Sequence, residues 1–243
     1  MIYRIASKTN HHVVEAAKLK MAKYQKESGL FLVEGFHLLD MAVEYKALKA
    51  VFANKEIPNL DVDQYLVSDE IIDKLSATKS PQGVVAVCKM KKPHSIVTNK
   101  VLFLDDISDP GNLGTILRTA LAFGYLDVII SSQSVSPYND RAINASQGAL
   151  LALNIVVGGI EILKDLQKKG YQVVATSLRD SKSLLEESFA TKHIVVLGNE
   201  SRGINDEILN IADKKVKIAI KGIESLNVAV AAGIVLYEIN SKK

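Results

Sequence analysis

Two short polar segments near the end of the chain combine residue types that could do chemistry. Residues 198–203 read GNESRG, and residues 221–227 read KGIESLN. Each segment follows an apolar run and precedes a helical pattern, so each is predicted to be a loop beyond the carboxyl end of a strand, where open α/β sheets bind ligands. The carboxylate of Glu200 and the guanidinium of Arg202 favour recognition of a polar ligand. The alternative is a solvated turn with an incidental ion pair.

A third polar segment, residues 105–114, directly follows the apolar run 101–104. It contains Asn112 and leads into a predicted helix over residues 115–123, on which Arg118 stands among apolar neighbours. Arg118 is either an exposed arginine with a packed stem or an arginine directed at the mouth of the preceding strand. The chain contains neither GxGxxG nor GxxxxGK[ST], so nothing in it predicts a nucleotide phosphate cradle.

The elements that position these segments form two predicted domains. Residues 1–92 predict a small α/β domain, with one helix over residues 13–26, and residues 91–95 have the composition of a linker. Residues 98–243 predict a second domain. Its strands are predicted at residues 101–104, 126–130, 155–157, 173–175, 194–197 and 216–220. Helical patterns separate them, one at residues 182–187, and this alternation predicts an α/β fold whose parallel sheet is covered by helices on both faces.

Composition and charge narrow the class of protein. The chain has 243 residues, 48% of them hydrophobic, and a net charge of +3. Residues 1–100 carry 15 basic and 11 acidic side chains, whereas residues 101–243 carry 15 and 16, so the basic excess lies in the first domain. The single cysteine, Cys88, cannot build a disulfide framework or a cysteine-rich zinc site. With no signal peptide and no apolar run of about 18 residues, the protein is predicted to be cytoplasmic.

The basic excess makes the first domain a candidate for nucleic-acid binding. Lysines recur at helical spacing between residues 18 and 26, which is typical of a solvated helix face and is compatible with a face that contacts phosphates. His11 and His12 could stack on bases, but adjacent residues do not share a helix face, which argues against metal binding by the pair. The candidate RNA-binding residues are Lys8, Asn10, Lys18 and Arg141.

Three segments resemble the motifs of a known family, in the right order and spacing. Residues 112–120, NLGTILRTA, resemble the first motif of the SpoU/TrmH RNA 2′-O-methyltransferases of the SPOUT superfamily. Residues 197–203, LGNESRG, resemble the second motif, and residues 225–231, SLNVAVA, resemble the third. Together they cover residues 101–243. The first domain, through Ser7, Asn10, Glu34-Gly35 and the segment SPQG at residues 80–83, is similar to the L30e-like RNA-binding domain that precedes many of these enzymes.

The resemblance implies a fold feature, a cofactor and an assembly. The C-terminal segment would be threaded into a trefoil knot, a feature that no periodicity argument reaches. S-adenosylmethionine would be the methyl donor, no metal would be needed, and a homodimer would be the working unit. The residues implied to hold the cofactor, largely through their backbone, are Thr176, Leu197, Gly198, Ile218, Leu226 and Asn227.

The resemblance also implies catalytic roles. Arg118 would hold the target phosphate and stabilise charge on the ribose oxygen, since a guanidinium with a pKa above about 12 is a poor base. The residues implied to orient Arg118, the ribose or the cofactor are Asn112, Glu200, Ser225 and Asn227. The chain is therefore predicted to methylate the ribose 2′-oxygen of RNA, with 23S ribosomal RNA as the target. The alternatives are a tRNA 2′-O-methyltransferase and a non-catalytic RNA-binding protein of the same fold.

Overall fold

The computed structural model describes residues 1–242 and divides them into two compact units. The first unit comprises residues 1–92 together with residues 138–151. The second comprises residues 93–137 and the described chain from residue 152 onward. The first break in the chain coincides with the end of the first predicted domain. The inclusion of residues 138–151 in the first unit was not part of the prediction.

The first unit is built on a five-stranded mixed sheet. Its strands are β1 (Ile2–Ile5), β2 (Leu30–Glu34), β3 (Leu48–Ala53), β4 (Asp63–Val67) and β5 (Val84–Lys89). Its first helices are α1 (His11–Lys18), α2 (Ala22–Ser28), α3 (Phe36–Glu44) and α4 (Asp69–Leu75). The strand order is β1-β4-β3-β5-β2, with β5 antiparallel to both of its neighbours and the remaining pairs parallel. This arrangement makes β1 an edge strand.

The predicted helix over residues 13–26 is two helices, and a buried glutamine explains the break. The chain leaves α1 at Leu19 and is extended at Met21 before α2 begins. The side-chain amide of Gln25 is buried and donates a hydrogen bond of 2.8 Å to the carbonyl oxygen of Leu19. That carbonyl would lack a helical partner at the break, so Gln25 compensates for the interruption.

The segment 138–151 packs with the first unit. The Tyr138 ring lies 5.0 Å from the Phe31 ring, centroid to centroid, and Gln25 donates a hydrogen bond of 3.1 Å to the Tyr138 carbonyl oxygen. Gly148 has a φ of +87°, and a Cβ there would lie 2.8 Å from the Met41 side chain. A positive φ and close packing both favour glycine at this position.

The second unit is built on a seven-stranded sheet in which every pair is parallel. Its strands are β6 (Lys100–Leu104), β7 (Asp127–Ile130), β8 (Asn154–Val157), β9 (Gln172–Thr176), β10 (Lys182–Ser183), β11 (His193–Leu197) and β12 (Lys214–Lys217). The strand order is β10-β12-β9-β11-β6-β7-β8. All residues of β7 and β11 are buried, as expected where helices cover both faces of a parallel sheet. The predicted α/β fold with a helix-flanked parallel sheet is confirmed.

The remaining helices follow the strands of the second sheet, apart from two in segment 138–151. They are α5 (Pro110–Ala122), α6 (Asp140–Ser146), α7 (Ala149–Ala152), α8 (Ile160–Lys168), α9 (Asp206–Ile211) and α10 (Val228–Ser241), with a short 3-10 helix (Leu184–Glu186). α6 is in the first unit, as is all of α7 except Ala152. α10 packs against α5. Across residues 1–242, no helix combines the length and apolar character needed to span a membrane.

Two predicted elements of the second domain are wrong in type or position. The predicted helix at residues 182–187 is the two-residue strand β10 followed by the 3-10 helix. Ser183 caps that short turn, and β10 pairs with β12 at the edge of the sheet. The predicted strand at residues 216–220 is β12, which begins earlier at Lys214 and ends at Lys217. Lysines at β12 concealed its start from hydrophobic periodicity because they sit near the exposed edge of the sheet.

Candidate active site

The GNESRG segment forms a tight loop directly after β11. Asn199 and Gly203 exchange two backbone hydrogen bonds of 3.0 Å. The Asn199 side-chain oxygen also accepts hydrogen bonds from the backbone N–H groups of Ser201 and Arg202, at 2.9 and 3.0 Å. A Cβ at Gly198 would lie 2.4 Å from the Gly203 carbonyl carbon, so only glycine fits where the loop returns on itself.

This loop is tied to the chain that leaves the neighbouring strand, β6. Asp106 has a φ of +58°, and its carbonyl oxygen accepts a hydrogen bond of 2.8 Å from the Asn199 side chain. Arg202 forms an ion pair with the Asp106 carboxylate. Asp105 is buried and accepts a hydrogen bond of 2.8 Å from the Asn205 N–H. Burial raises the pKa of Asp105 above its usual value, an effect that this hydrogen bond partly offsets. The incidental ion pair considered between Glu200 and Arg202 is therefore replaced by one between Arg202 and Asp106.

Glu200 is the centre of a polar cluster that joins all three motif segments. Its carboxylate accepts hydrogen bonds from the Asn112 amide at 2.9 Å and from the Ser108 hydroxyl at 3.1 Å. The Asn227 amide donates to the Asn112 side-chain oxygen at 3.0 Å. Partial burial opposes ionisation of Glu200, but the hydrogen bonds from Asn112 and Ser108 outweigh it and lower the pKa of Glu200. The carboxylate is thus an ionised acceptor near neutral pH.

Helix caps explain why the asparagines of this cluster are held in place. Asp109 caps α5 and accepts a hydrogen bond of 2.8 Å from the Asn112 N–H, and proline occupies the first helical position. α5 therefore begins at Pro110 instead of the predicted residue 115, which places Asn112 in its first turn. Asn227 caps α10 by accepting from the Ala229 N–H at 2.9 Å. Its side-chain oxygen serves the helix while its amide group faces Asn112.

A cavity of about 410 Å³ adjoins this cluster. The predicted cofactor residues that line it are Thr176, Leu197, Gly198, Ile218 and Leu226. Glu200 and Ser225 also line it, so the cavity meets the polar cluster along one wall. Asn227 is not among its lining residues. The Thr176 hydroxyl donates a hydrogen bond of 3.0 Å to the Val196 carbonyl oxygen, which fixes the wall between β9 and β11. This volume lies within the range typical of sites for small molecules and cofactors.

Arg118 is not brought into the cluster. It lies on the exposed face of α5, about 120° around the helix axis from Asn112. Within residues 1–242 no hydrogen bond or ion pair engages its guanidinium, and Arg118 does not line the cavity. Its exposure agrees with the simpler of the two interpretations, that of an exposed helix arginine. It also leaves the guanidinium available to a ligand that approaches from solvent.

Comparison with known proteins places the chain in a family. Residues 99–237, more than half of the chain, match the model of the SpoU rRNA Methylase family. The chain belongs to the SpoU rRNA methylase family. Residues 10–86 of this SpoU family member match a second model, the MRM3-like substrate binding domain. The family predicted from the three motifs is confirmed.

Two relatives of this SpoU family member differ in how much of it they match. It is 30% identical to the 23S rRNA (guanosine(2553)-2'-O)-methyltransferase RlmP of Bacillus subtilis, over 97% of this chain and 98% of that protein. It is 32% identical to a tRNA (guanosine(18)-2'-O)-methyltransferase of Aquifex aeolicus, over 59% of this chain and 69% of that protein. Among solved structures, the AdoMet-bound rRNA methyltransferase of Sinorhizobium meliloti superimposes with a TM-score of 0.88 at 27% identity, covering 99% of this chain and 98% of that one.

The candidate RNA-binding residues of this SpoU family member have contacts within the first unit. Lys8 and Lys18 each pair with a glutamate, at 2.9 and 2.7 Å, and Asn10 caps α1. Arg141 is exposed in the first turn of α6. These contacts fit the solvated-face interpretation, and they leave the RNA-binding role of the four residues untested.

Sequence reasoning missed Ser108 and the Asp106–Arg202 pair, although it noted the segments that contain them. Ser108 contributes to the site because β6 and β11 are adjacent in the sheet, and sequence spacing carries no signal of that pairing. Within residues 1–242, no group of three or more histidine, cysteine, aspartate or glutamate side chains could hold a metal ion.

Proposed function

We propose that this chain methylates a ribose 2′-oxygen of 23S ribosomal RNA. S-adenosylmethionine-dependent 2′-O-methylation of RNA is supported by the family and by the relatives named above. For the RNA target, the 23S rRNA enzyme matches both units of the chain, whereas the tRNA enzyme matches only 59% of it. A tRNA target is the alternative, because the tRNA relative is also a 2′-O-methyltransferase.

The single observation that carries the proposal is the contact between the cavity and the polar cluster. Glu200 lines the cavity and also binds Asn112, which in turn binds Asn227. A small cofactor in the cavity would therefore lie beside ordered polar groups suited to a sugar hydroxyl. A site with this juxtaposition can hold a methyl donor and an acceptor in reach of each other.

The residues around the cavity fit S-adenosylmethionine. Gly198 lets the loop backbone return close to the end of β11, where any Cβ would collide with the Gly203 backbone. Apolar residues such as Leu197, Ile218 and Leu226 line part of the cavity, and polar residues such as Glu200 and Ser225 line the rest, which suits a cofactor with an apolar and a polar part. When bound, S-adenosylmethionine supplies a methyl carbon activated by its sulfonium. In this proposal the loops after β11 and β12 hold the cofactor largely by backbone, Thr176 supports one wall, and Asn227 supports the adjoining end of α10.

On the side of the methyl acceptor, we assign the polar cluster the role of orienting the ribose and Arg118 the role of supplying positive charge. Each carboxylate oxygen of Glu200 accepts a hydrogen bond, from Asn112 or from Ser108, and the lowered pKa of Glu200 suits it to fixing the position of neighbouring groups rather than to accepting a proton. Ser225 lines the same cavity, which supports its proposed contact with the ribose or the cofactor. Arg118 lies outside the cavity of its own chain, so its proposed roles, to hold the target phosphate and to stabilise negative charge on the attacking oxygen, require the bound RNA to bring these groups to its exposed guanidinium.

We also infer the finer features of the fold. The loops after β11 and β12 both line the cavity, and α10 packs on α5, which follows β6. These features support a C-terminal trefoil knot around the cofactor, and the match to a substrate-binding domain supports an L30e-like first domain, residues 1–92, that receives RNA. The SpoU-type catalytic domain would then comprise residues 98–243. The cytoplasmic localisation and the independence from metal stay predictions.

An exposed apolar stripe supports a homodimer formed by the catalytic domain. Val230, Ile234 and Tyr237 are exposed on α10 and recur at a spacing of four and three residues, which places them on one helix face. Large side chains of this kind are rarely left exposed in a contiguous stripe on a monomer. A second copy of the chain would cover them.

The test is methyl transfer from radiolabelled S-adenosylmethionine to purified RNA. We expect a 23S rRNA transcript to be labelled, and the label to survive alkaline hydrolysis in a dinucleotide because a methylated 2′-oxygen cannot attack the adjoining phosphate. Activity in the presence of EDTA would support independence from metal. Preferential labelling of tRNA would favour the alternative target. RNA binding without label in any RNA would favour the non-catalytic protein.

A further inference from the structure

The first unit carries a row of aromatic rings that the proposed catalytic mechanism does not use. Tyr3, Tyr65 and Phe52 occupy facing positions on β1, β4 and β3. Tyr3 and Tyr65 stack with centroids 5.6 Å apart, and Tyr65 and Phe52 stack at 4.8 Å. His12, from the first turn of α1, stacks on Tyr65 at 4.7 Å. We call these four residues the aromatic ladder.

The ladder runs from the core to solvent. Phe52 is 1% exposed and Tyr65 is 7% exposed, whereas Tyr3 on the edge strand is 40% exposed and His12 is also exposed. Cross-strand aromatic packing stabilises a sheet without requiring exposed rings at its end. The outer half of the ladder therefore presents aromatic surface to solvent at the edge of the unit.

The outer rings are held in position by their neighbours. The Tyr65 hydroxyl lies 3.3 Å from Nδ1 of His12, within hydrogen-bond distance. His12 also follows directly from the Asn10 cap, which binds its N–H at 2.9 Å. His11 packs edge-on against His12 at 5.7 Å. Rings held in this way lose little conformational entropy when another planar group stacks on them.

Two lysines, Lys8 and Lys74, meet at the loop that joins the elements carrying the two outer rings. Lys8 lies in the loop between β1, which carries Tyr3, and α1, which carries His12. Lys74 donates a hydrogen bond of 2.7 Å to the Lys8 carbonyl oxygen, and Lys20 donates one of 3.2 Å to the Lys74 carbonyl oxygen. Glu70 pairs with Lys8 and offsets part of this charge. Exposed aromatic rings on two elements whose joining loop carries cations match a nucleotide, whose base stacks and whose phosphate is anionic.

We propose that Tyr3 and His12 form a stacking platform for an unpaired base of the RNA substrate. This inference rests on the proposed function, because it takes RNA as the partner of the first unit. An unpaired base is the occupant because bases within a duplex are already stacked, and protein recognition of RNA sequences relies on splayed bases stacked on aromatic side chains. The inner rings, Tyr65 and Phe52, anchor the platform to the core.

The experiment uses the full-length protein and a short single-stranded oligouridylate that carries one 2-aminopurine, because uridines stack weakly and leave the free probe fluorescent. Stacking of 2-aminopurine on an aromatic ring quenches its fluorescence, which a purely structural role of the ladder would not cause. We expect the wild-type protein to quench the probe. Tyr3→Leu and His12→Leu keep an apolar side chain but remove the ring, and each should weaken binding about fivefold or more and lose the quench.

The controls separate a lost platform from a damaged fold. Tyr45→Leu removes a ring of matched exposure, 39%, in the same unit and outside the ladder, and it should bind and quench as the wild type does. Tyr3→Trp should restore the quench that Tyr3→Leu loses. The far-ultraviolet circular dichroism spectrum and the urea unfolding curve should be unchanged in all variants, which shows that the first unit is folded in each. S-adenosylmethionine affinity should also be unchanged, because the cavity is lined by residues of the second unit.

Each other outcome is decisive. If the wild-type protein binds the probe without quenching, or does not bind it, the platform is refuted. Quenching by Tyr3→Leu and His12→Leu at wild-type affinity also refutes it. Methylation of 23S rRNA by the wild-type protein is measured in parallel. If the wild-type protein methylates 23S rRNA but the Tyr3→Leu and His12→Leu variants bind and quench the probe as the wild type does, only the platform is overturned. If the wild-type protein methylates no RNA, the proposed function is overturned.

Discussion

Gly198→Ala tests whether the loop after β11 shapes the cofactor cavity. The added Cβ would lie 2.4 Å from the Gly203 carbonyl carbon, 2.5 Å from its oxygen and 2.5 Å from the Ile204 nitrogen. All three atoms are backbone, so no side-chain rotation can relieve the contact. Because such carbon–carbon contacts are normally about 3.5 Å or longer, the Gly203–Ile204 peptide must move by about 1 Å.

The size of the expected loss of cofactor affinity follows from the hydrogen bonds that the Gly203–Ile204 peptide region makes. Gly203 exchanges two hydrogen bonds with Asn199, and each contributes about 0.5–1.5 kcal/mol. Their loss would cost about 1–3 kcal/mol, which corresponds to about a 5- to 150-fold loss of S-adenosylmethionine affinity if the bound state requires the loop as it stands. Overpacking should also lower the free energy of unfolding by about 1–3 kcal/mol.

Isothermal titration calorimetry with S-adenosylmethionine and urea unfolding provide the two measurements. Gly159→Ala is the matched control, because a Cβ there meets nothing within 4 Å and its φ is −118°. It should leave cofactor affinity unchanged. Gly198→Ala with cofactor affinity within about twofold of the wild type would show that this close approach does not shape the site, contrary to the argument from distances.

Three further predictions concern catalysis, pH and assembly. Arg118→Ala should slow single-turnover methylation about a hundredfold or more and change the free energy of unfolding by about 0.5 kcal/mol or less, because its side chain is exposed. Arg118→Lys, which loses the bidentate fork, should be nearly as slow, and a wild-type rate in the alanine variant would remove Arg118 from the mechanism. Burial lowers the pKa of His193. Nδ1 of the ring donates to the Ala190 carbonyl oxygen at 2.8 Å, so Nε2 of the neutral ring accepts from the Tyr125 hydroxyl at 2.8 Å. The folded state therefore favours neutral His193. Its contribution to stability should be complete above about pH 6.5 and fall by up to about 1.4 kcal/mol per pH unit below it; urea unfolding of wild type and His193→Gln with equal pH slopes would contradict this. Ile234→Glu should shift the sedimentation coefficient from that of a dimer to that of a monomer. The control Val97→Glu, at an exposed residue outside α10, should leave the dimer intact. A wild-type protein that sediments as a monomer would refute the dimer proposal.

Most of the strands and helices, and the residue types available to the site, could be predicted from the sequence alone. The continuous apolar runs at β6, β7 and β11 marked buried parallel strands because no face of such a strand meets water. The three polar motif segments could be recognised because their residues lie close together in sequence. They were sufficient to identify the family, and three predicted cofactor residues within them, Leu197, Gly198 and Leu226, line the cavity.

Tertiary structure decided which of those residues meet. Asn112 and Glu200 are 88 residues apart, and Asn112 and Asn227 are 115 apart. They come together because β6 and β11 are neighbours, with Leu104 opposite Leu197, and no local pattern encodes that pairing. Likewise, the break between α1 and α2 depends on the side chain of Gln25 reaching the Leu19 carbonyl. Sequence periodicity describes one element at a time, whereas strand order and side-chain contacts depend on the packing free energy of the whole unit.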